Sequence, residues 1–248
     1  MRYFIEFSYR GTAYHGWQNQ PNAISVQEVL EKALSTLLRT PIELAGAGRT
    51  DAGVHAKQMF AHFDTVAVFD FTDFVFRLNA FLPSDISIKT IRKVKSESHA
   101  RFDAIERTYE YWVTWQKNPF LFPFAHTVLK SLNIDAMNKA SEIAMEYDDY
   151  ECFSKSNSDV KTFICDVRQA FWKVEKEKLV FTISGDRFLR NMVRAIVGTL
   201  IEVGQGKRKV EAIRAIIESK DRSKAGVSVP AKGLYLTKVV YPEHIFYE

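Results

Sequence analysis

"PIELAGAGRTDAGVHAKQMFAHFD" runs from Pro41 to Asp64. Two stretches that read as strands, "PIELAGA" and "KQMFAHFD", flank a loop of glycine and alanine set around Arg49, Thr50 and Asp51. Glycine at this density marks backbone that must turn sharply or let a ligand come close. Upstream, "RYFIEFSY" alternates apolar and polar residues and predicts a strand. "ISVQEVLEKALSTLL" places Val26, Val29, Leu30, Ala33, Leu34 and Leu37 on one helical stripe. Downstream, "FDFTDFVFRLNAFL" predicts a second helix with Thr72 as its N-cap, and "ISIKTIRKV" a fourth strand. The order β-α-β-β-α-β is the ferredoxin-like plan.

The rest of the chain begins the same order again. "RTYEYWVTW" alternates as a strand, and "NIDAMNKASEIAMEY" is a helix starting at Asn133 or Asp135. "RQAFWKVEKEKLVFTISGD" is a hairpin turning near Glu175 to Lys178. "FLRNMVRAIVGTLIEVG" is a helix closed by Gly204, "VEAIRAIIESK" another, and "LYLTKVVY" a last strand. We therefore expect an α+β protein of two ferredoxin-like halves sharing a continuous, mainly antiparallel sheet with flanking helices. The polar stretch Ser96 to Glu106 has no strong period, which divides the chain into residues 1–104 and 105–248.

Composition sets outer limits. Apolar residues make up 46% of the 248, enough for a substantial core, and the net charge of +4 permits a polyanionic partner without requiring one. No stretch approaches the roughly 18 uninterrupted apolar residues of a membrane span, and the start carries no apolar run of signal-peptide length. Cys152 and Cys165 form no CxxC pair, so reduced thiols and a cytoplasmic location are expected.

The glycine loop fails the common ligand tests. Gly48 and Gly53 give G-x-x-x-x-G, but Val54 and His55 stand where a phosphate-binding loop needs Lys and Ser or Thr. Gly46 and Gly48 begin a dinucleotide fingerprint, but its third glycine position is Asp51, whose charge would oppose a pyrophosphate. His62 and Asp64 share a strand face, but His55 lies outside it and no zinc-protease spacing occurs, so no metal is expected. Asp51 remains as a functional group in its own right. With Arg49 two residues away, an ionised carboxylate there suits a nucleophile or general base. An aspartate that caps a turn beside a solvated arginine fits the same spacing. Arg187, Arg190 and Arg194 fall at i, i+3 and i+7, one face of a helix, and Arg92–Lys95, Lys207–Lys209 and Lys220–Lys224 add basic clusters. A non-catalytic RNA-binding module would lack the usual aromatic RNA-binding signature here. An aspartate-based hydrolase would want a second carboxylate near Asp51, and none is obvious.

"GAGRTDAGVHA" closely resembles the active-site motif of the TruA-type tRNA pseudouridine synthases. "YHGWQNQP", "ARFDAIERTYEYWV", "FLRNMVRAIVGTLIEVG" and "AKGLYLTKVVYP" resemble further segments of that family in its order, so the likeness covers nearly the whole chain. The resemblance implies an isomerase that converts uridine to pseudouridine at positions 38, 39 and 40 of the tRNA anticodon stem-loop. It implies a base flipped from its stack, no cofactor, no metal, and a homodimer whose two subunits both contact tRNA. It assigns Asp51 as the catalytic residue, Tyr109 to the target base, Arg194 as the partner of the aspartate, and Arg49 to base displacement.

Overall fold

The computed structural model describes residues 1–156 and 160–247. It is an α+β protein with a large, mainly antiparallel sheet and, among the described residues, five α-helices. The chain divides into two compact units, Met1–Arg107 with Leu236–Glu248, and Thr108–Tyr235.

The first unit realises the β-α-β-β-α-β order: β1 (Arg2–Tyr9), α1 (Val26–Leu38), β2 (Ala45–Gly46), β3 (His55–Asp64), α2 (Phe71–Phe81) and β4 (Ile86–Val94). Its strands run in the order β4-β1-β3-β9, where β9 is Leu234–Val240, and β2 pairs with β3. β1 is antiparallel to both neighbours, with Phe4 opposite His62 on one side and Arg92 on the other. Tyr3, Ile5, Phe7 and Tyr9 are all buried, as the alternation of "RYFIEFSY" requires. On the opposite face Phe4 is covered by the rings of Tyr241 and Phe246, at 5.0 and 6.0 Å.

Two local expectations are corrected. Only Ala45–Gly46 of "PIELAGA" pairs as a strand. The Ile42 and Leu44 amides donate instead to Ser35 Oγ and Glu31 Oε1 of α1, so their hydrogen bonds go to helix side chains rather than to a ladder. The N-cap of α2 is Asp70, not Thr72. The Asp70 carboxylate accepts the Asp73 N–H at 2.8 Å and adds a negative charge where the helix dipole favours one.

The second unit carries β5 (Glu106–Thr114), β6 (His126–Thr127), α3 (Ile134–Ala144), β7 (Val167–Glu175), β8 (Lys178–Gly185), α4 (Met192–Gly204) and α5 (Ala212–Glu218). Its strand order is β5-β8-β7, with β6 parallel to β5. The hairpin turns where expected, Glu175 facing Lys178, and Asn133 caps α3 by accepting the Ala136 N–H. Helix α4 starts four residues later than its apolar pattern suggests. Asn191 adopts a left-handed conformation (φ 68°), which interrupts helical geometry before Met192. Arg187 and Arg190 therefore stand outside the helix, and the expected three-arginine face does not form. Gly204 is the last helical residue rather than the cap, and Gln205 takes that place. A side chain at Gly204 would meet Met137 Sδ at 2.4 Å, so packing of α3 explains this glycine.

Candidate active site

Asp51 lies half-buried in the loop that joins β2 to β3, and Arg49 is exposed on the same loop. The loop closes on itself through the Val54 N–H, which donates to the Asp51 carbonyl at 3.1 Å. Its base is pinned by the Ala47 N–H on the Phe60 carbonyl at 2.7 Å. Gly53, at φ 80°, supplies a backbone conformation that side chains disfavour.

The N-terminal segment Gly11–Trp17 braces this loop, a role that periodicity and motif spacing do not reveal. The Trp17 N–H donates to the Thr50 carbonyl (3.2 Å) and the Gly53 N–H to the Tyr14 carbonyl (3.3 Å). Tyr9 and Thr50 share a hydroxyl hydrogen bond at 2.8 Å. Two glycines permit this approach. A Cβ on Gly11 would stand 1.9 Å from the Val54 carbonyl oxygen, and one on Gly16 (φ +94°) 2.4 Å from that of Thr50. Gly46 answers to Trp17, whose indole would meet a Cβ there at 2.6 Å. That indole is buried and stacks on Phe7 at 5.4 Å. The one sequence signal for this segment is the family resemblance of "YHGWQNQP", which gives it no role.

Arg107 is a second residue that sequence reasoning misses. Its buried guanidinium donates to the carbonyls of Ala47 (2.8 Å), Arg101 (2.6 Å) and Ala104 (3.1 Å). The base of the Asp51 loop is thus tied to the segment that leads into β5. A basic residue one place before Thr108 on a strand reads from sequence as a surface cation, which conceals this role.

The histidines near the loop are structural. His55 Nδ1 accepts the Gly11 N–H at 3.0 Å and His62 Nδ1 the Ala100 N–H at 3.1 Å, so in both rings that nitrogen is occupied as an acceptor. Among the described residues no group of three or more His, Cys, Asp or Glu is placed to hold a metal ion.

The other expected site residues belong to the second unit. Tyr109 is half-buried on β5, edge-on to the ring of Phe188 at 5.2 Å. Tyr111, two residues along, is fully buried and its hydroxyl donates to the Pro230 carbonyl at 2.8 Å. Burial pushes that hydroxyl far above the ordinary tyrosine range, against the opposing charge effect of Arg194. Tyr111 is therefore a locked structural phenol, whereas Tyr109 is only half-buried. Arg194 sits in the first turn of α4, half-buried, with Nε donating to the Val229 carbonyl at 2.8 Å.

The basic clusters are partly engaged already. The Arg92 guanidinium covers the Phe246 ring at 4.0 Å and the Lys93 ammonium the Tyr247 ring at 5.2 Å. Arg208 pairs with Glu202, and Lys220 with Asp149 at 2.7 Å. No helix among the described residues is long and apolar enough to cross a membrane.

Known proteins share this chain's organisation. A family model described as tRNA pseudouridine synthase matches residues 6–103 and 147–242. A protein of Bacteroides thetaiotaomicron named tRNA pseudouridine synthase A is 56% identical over 250 aligned residues, covering 100% of this chain and 93% of that protein. Its namesake in Parabacteroides distasonis is 50% identical, covering 99% of this chain and 98% of that protein. A more distant namesake, from Caldicellulosiruptor bescii, is 40% identical over 96% of this chain and 98% of its own length. The chain belongs to the tRNA pseudouridine synthase family.

Proposed function

We propose that this protein isomerises uridine to pseudouridine at positions 38, 39 and 40 of the tRNA anticodon stem-loop, with Asp51 as its catalytic group. The observation that carries this reading is the intact G-R-T-D motif on a loop whose backbone is held from both sides, inside a chain matched to the family over nearly its whole length. The reaction breaks the C1′–N1 bond and forms C1′–C5. N1 ends with a proton and C5 loses one, so the conversion is redox-neutral and asks for no cofactor. A stacked uridine cannot rotate in this way, so it is flipped out at a cost of a few kcal/mol, on the order of one lost stacking step. Small residues around Asp51 leave room for base and sugar. Asp51 acts ionised, as nucleophile or base. Tyr109 offers its ring to the uracil, Arg49 assists displacement of the base, and Arg194 completes the substrate-binding set. The protein works in the cytoplasm as a homodimer on tRNA, with 1–104 and 105–248 as its N- and C-terminal halves.

The test is chemical mapping of pseudouridine in unmodified tRNA incubated with purified protein. Product at positions 38 to 40 with wild type, and none with a folded Asp51→Asn variant, is expected. Turnover by Asp51→Asn at the wild-type rate rejects the assignment.

A further inference from the structure

Arg194 is joined to a distant residue at two points. Its Nε donates to the Val229 carbonyl (2.8 Å), and its own carbonyl accepts the Val229 N–H (3.2 Å). Residue 229 ends a short strap, Ala225–Val229, that lies against α4. Ser228 is the node of the strap. Its Oγ accepts from Asn191 Nδ2 at 2.7 Å and from Arg222 Nη2 at 2.8 Å. Arg222 Nη1 also donates to the Gly226 carbonyl at 3.1 Å, and the Gly226 N–H donates to Thr199 Oγ1 of α4 at 2.8 Å. Glycine is required on both sides of the contact. A Cβ on Gly198 would stand 1.9 Å from the Val227 carbonyl oxygen, and one on Gly226 would stand 2.8 Å from the Thr199 backbone.

Asn191 shows that this arrangement overrides the local preference of the helix. An asparagine at an N-cap ordinarily accepts an amide from the first turn. Asn191 makes no such bond, takes a left-handed backbone, and sends its amide to Ser228 instead. Capping is exchanged for a link between the residue that starts α4 and the strap that grips Arg194.

We propose that Ser228, held by Asn191 and Arg222, is a positioning residue that fixes the guanidinium of Arg194 for pseudouridine formation. The proposal rests on the reading of Arg194 as a group of the reaction. Free arginine side chains sample many rotamers. Here the strap carbonyl restrains Nε, and the Ser228 node restrains the strap.

Full-length protein and unmodified tRNA transcript suffice for the test. Ser228→Ala is expected to lower kcat by about tenfold to a hundredfold, as misplacement of a reacting group does, with KM for tRNA unchanged. Ser228→Thr, which keeps the hydroxyl, restores turnover. In an Arg194→Lys background, which has no Nε donor to place, the further loss from Ser228→Ala shrinks to less than about twofold, the signature of coupled residues. Unchanged kcat in Ser228→Ala, or the same fold-loss in both backgrounds, overturns the proposal. Should Ser228→Ala melt below the assay temperature, Arg222→Lys, which loses one arm of the guanidinium, goes through the same cycle, and the same two results overturn the proposal. A wild-type protein that forms no pseudouridine rejects the functional reading itself, which separates that failure from this one.

Discussion

The loop that carries Asp51 and the helix start that carries Arg194 are held by different means. Around Asp51 backbone-to-backbone contacts dominate, Ala47 to Phe60, Trp17 to Thr50, Gly53 to Tyr14 and Val54 to Asp51, with the Tyr9 hydroxyl on Thr50 and the Arg107 guanidinium on Ala47 added to them. Around Arg194 side chains do most of the holding, with Ser228, Asn191, Arg222 and Thr199 each contributing a polar atom. A site held by backbone selects residues with little or no side chain, so it is recorded as a dense run of Gly and Ala. A site held by side chains draws single residues from scattered places. The two regions therefore respond to different substitutions.

The largest effect is expected at Gly16. Alanine there must adopt φ +94° and put its Cβ 2.4 Å from the Thr50 carbonyl oxygen, one residue from Asp51. Left-handed strain alone costs about 1–3 kcal/mol, and the backbone clash adds to it. Gly16→Ala should lower the melting temperature markedly and turnover by about a hundredfold or more, because the acid is displaced. Tyr9→Phe removes the hydroxyl contact with Thr50 without adding a backbone clash and should cost about 1 kcal/mol. Equal damage from the two variants in thermal melts and tRNA assays would break the account of a backbone-held loop.

Acid should find the next weakest point of the first unit. Burial drives the His62 pKa from its ordinary 6.5 to about 4, helped by Arg2 and by His99, whose ring stands edge-on at 4.5 Å, and opposed by Asp64 and Asp103. Protonation of Nδ1 would also abolish its hydrogen bond from Ala100. Between about pH 6.5 and pH 4 the unfolded chain binds a proton at this residue that the folded one refuses. Stability from this group is complete above pH 6.5 and falls as pH drops toward 4. At about 1.4 kcal/mol per pKa unit, the loss is on the order of 3 kcal/mol. Melts across this range should slope accordingly, and His62→Asn, which offers Oδ1 to the same amide, should flatten the slope.

Much of this organisation is legible in the sequence, and the misses have definite causes. The strands of "RYFIEFSY" and "KQMFAHFD" and the stripe of α1 follow from periodicity, because burial on one face enforces it. The extent of "PIELAGA" is not legible, since its amides are claimed by Ser35 and Glu31 from a helix earlier in the chain. The start of α4 is hidden because apolar spacing continues through Phe188 and Leu189 while Asn191 breaks the backbone. Asp51 stands out as an acid among glycines. Arg107 and Ser228 do not, because a guanidinium on backbone carbonyls and a serine at a network node leave no local pattern.

The two tyrosines of β5 sharpen the contrast at smaller cost. They are two residues apart and spacing places them on one strand face, but Tyr111 is tethered to Pro230 and the ring of Tyr109 meets that of Phe188 edge-on. Tyr111→Phe should lose about 1 kcal/mol of stability with the hydroxyl bond. Tyr109→Phe keeps the ring and loses the hydroxyl, and its effect is read in tRNA turnover. Full turnover in Tyr109→Phe means that the ring alone meets the base, and lost turnover means that the hydroxyl also serves the reaction.

Gly48 should have the smallest effect on the fold and is for that reason the most diagnostic glycine of the loop. Gly11, Gly16 and Gly46 each have a neighbour that a Cβ would strike, and Gly53 has a positive φ. Gly48 has neither: nothing lies within 4 Å of a Cβ built there, and its φ is not positive. The folded protein gives no steric reason for glycine at this place. On the proposed reading of this loop as the active site, the glycine leaves room for substrate beside Arg49 and Asp51. Gly48→Ala is accordingly expected to melt with the wild type while KM for tRNA rises, as a methyl group occupies space meant for RNA. A lowered melting temperature would put the constraint inside the protein. Unchanged KM and kcat would mean that the RNA backbone and the flipped base stay clear of residue 48, so that the approach to Asp51 runs along the other side of the loop.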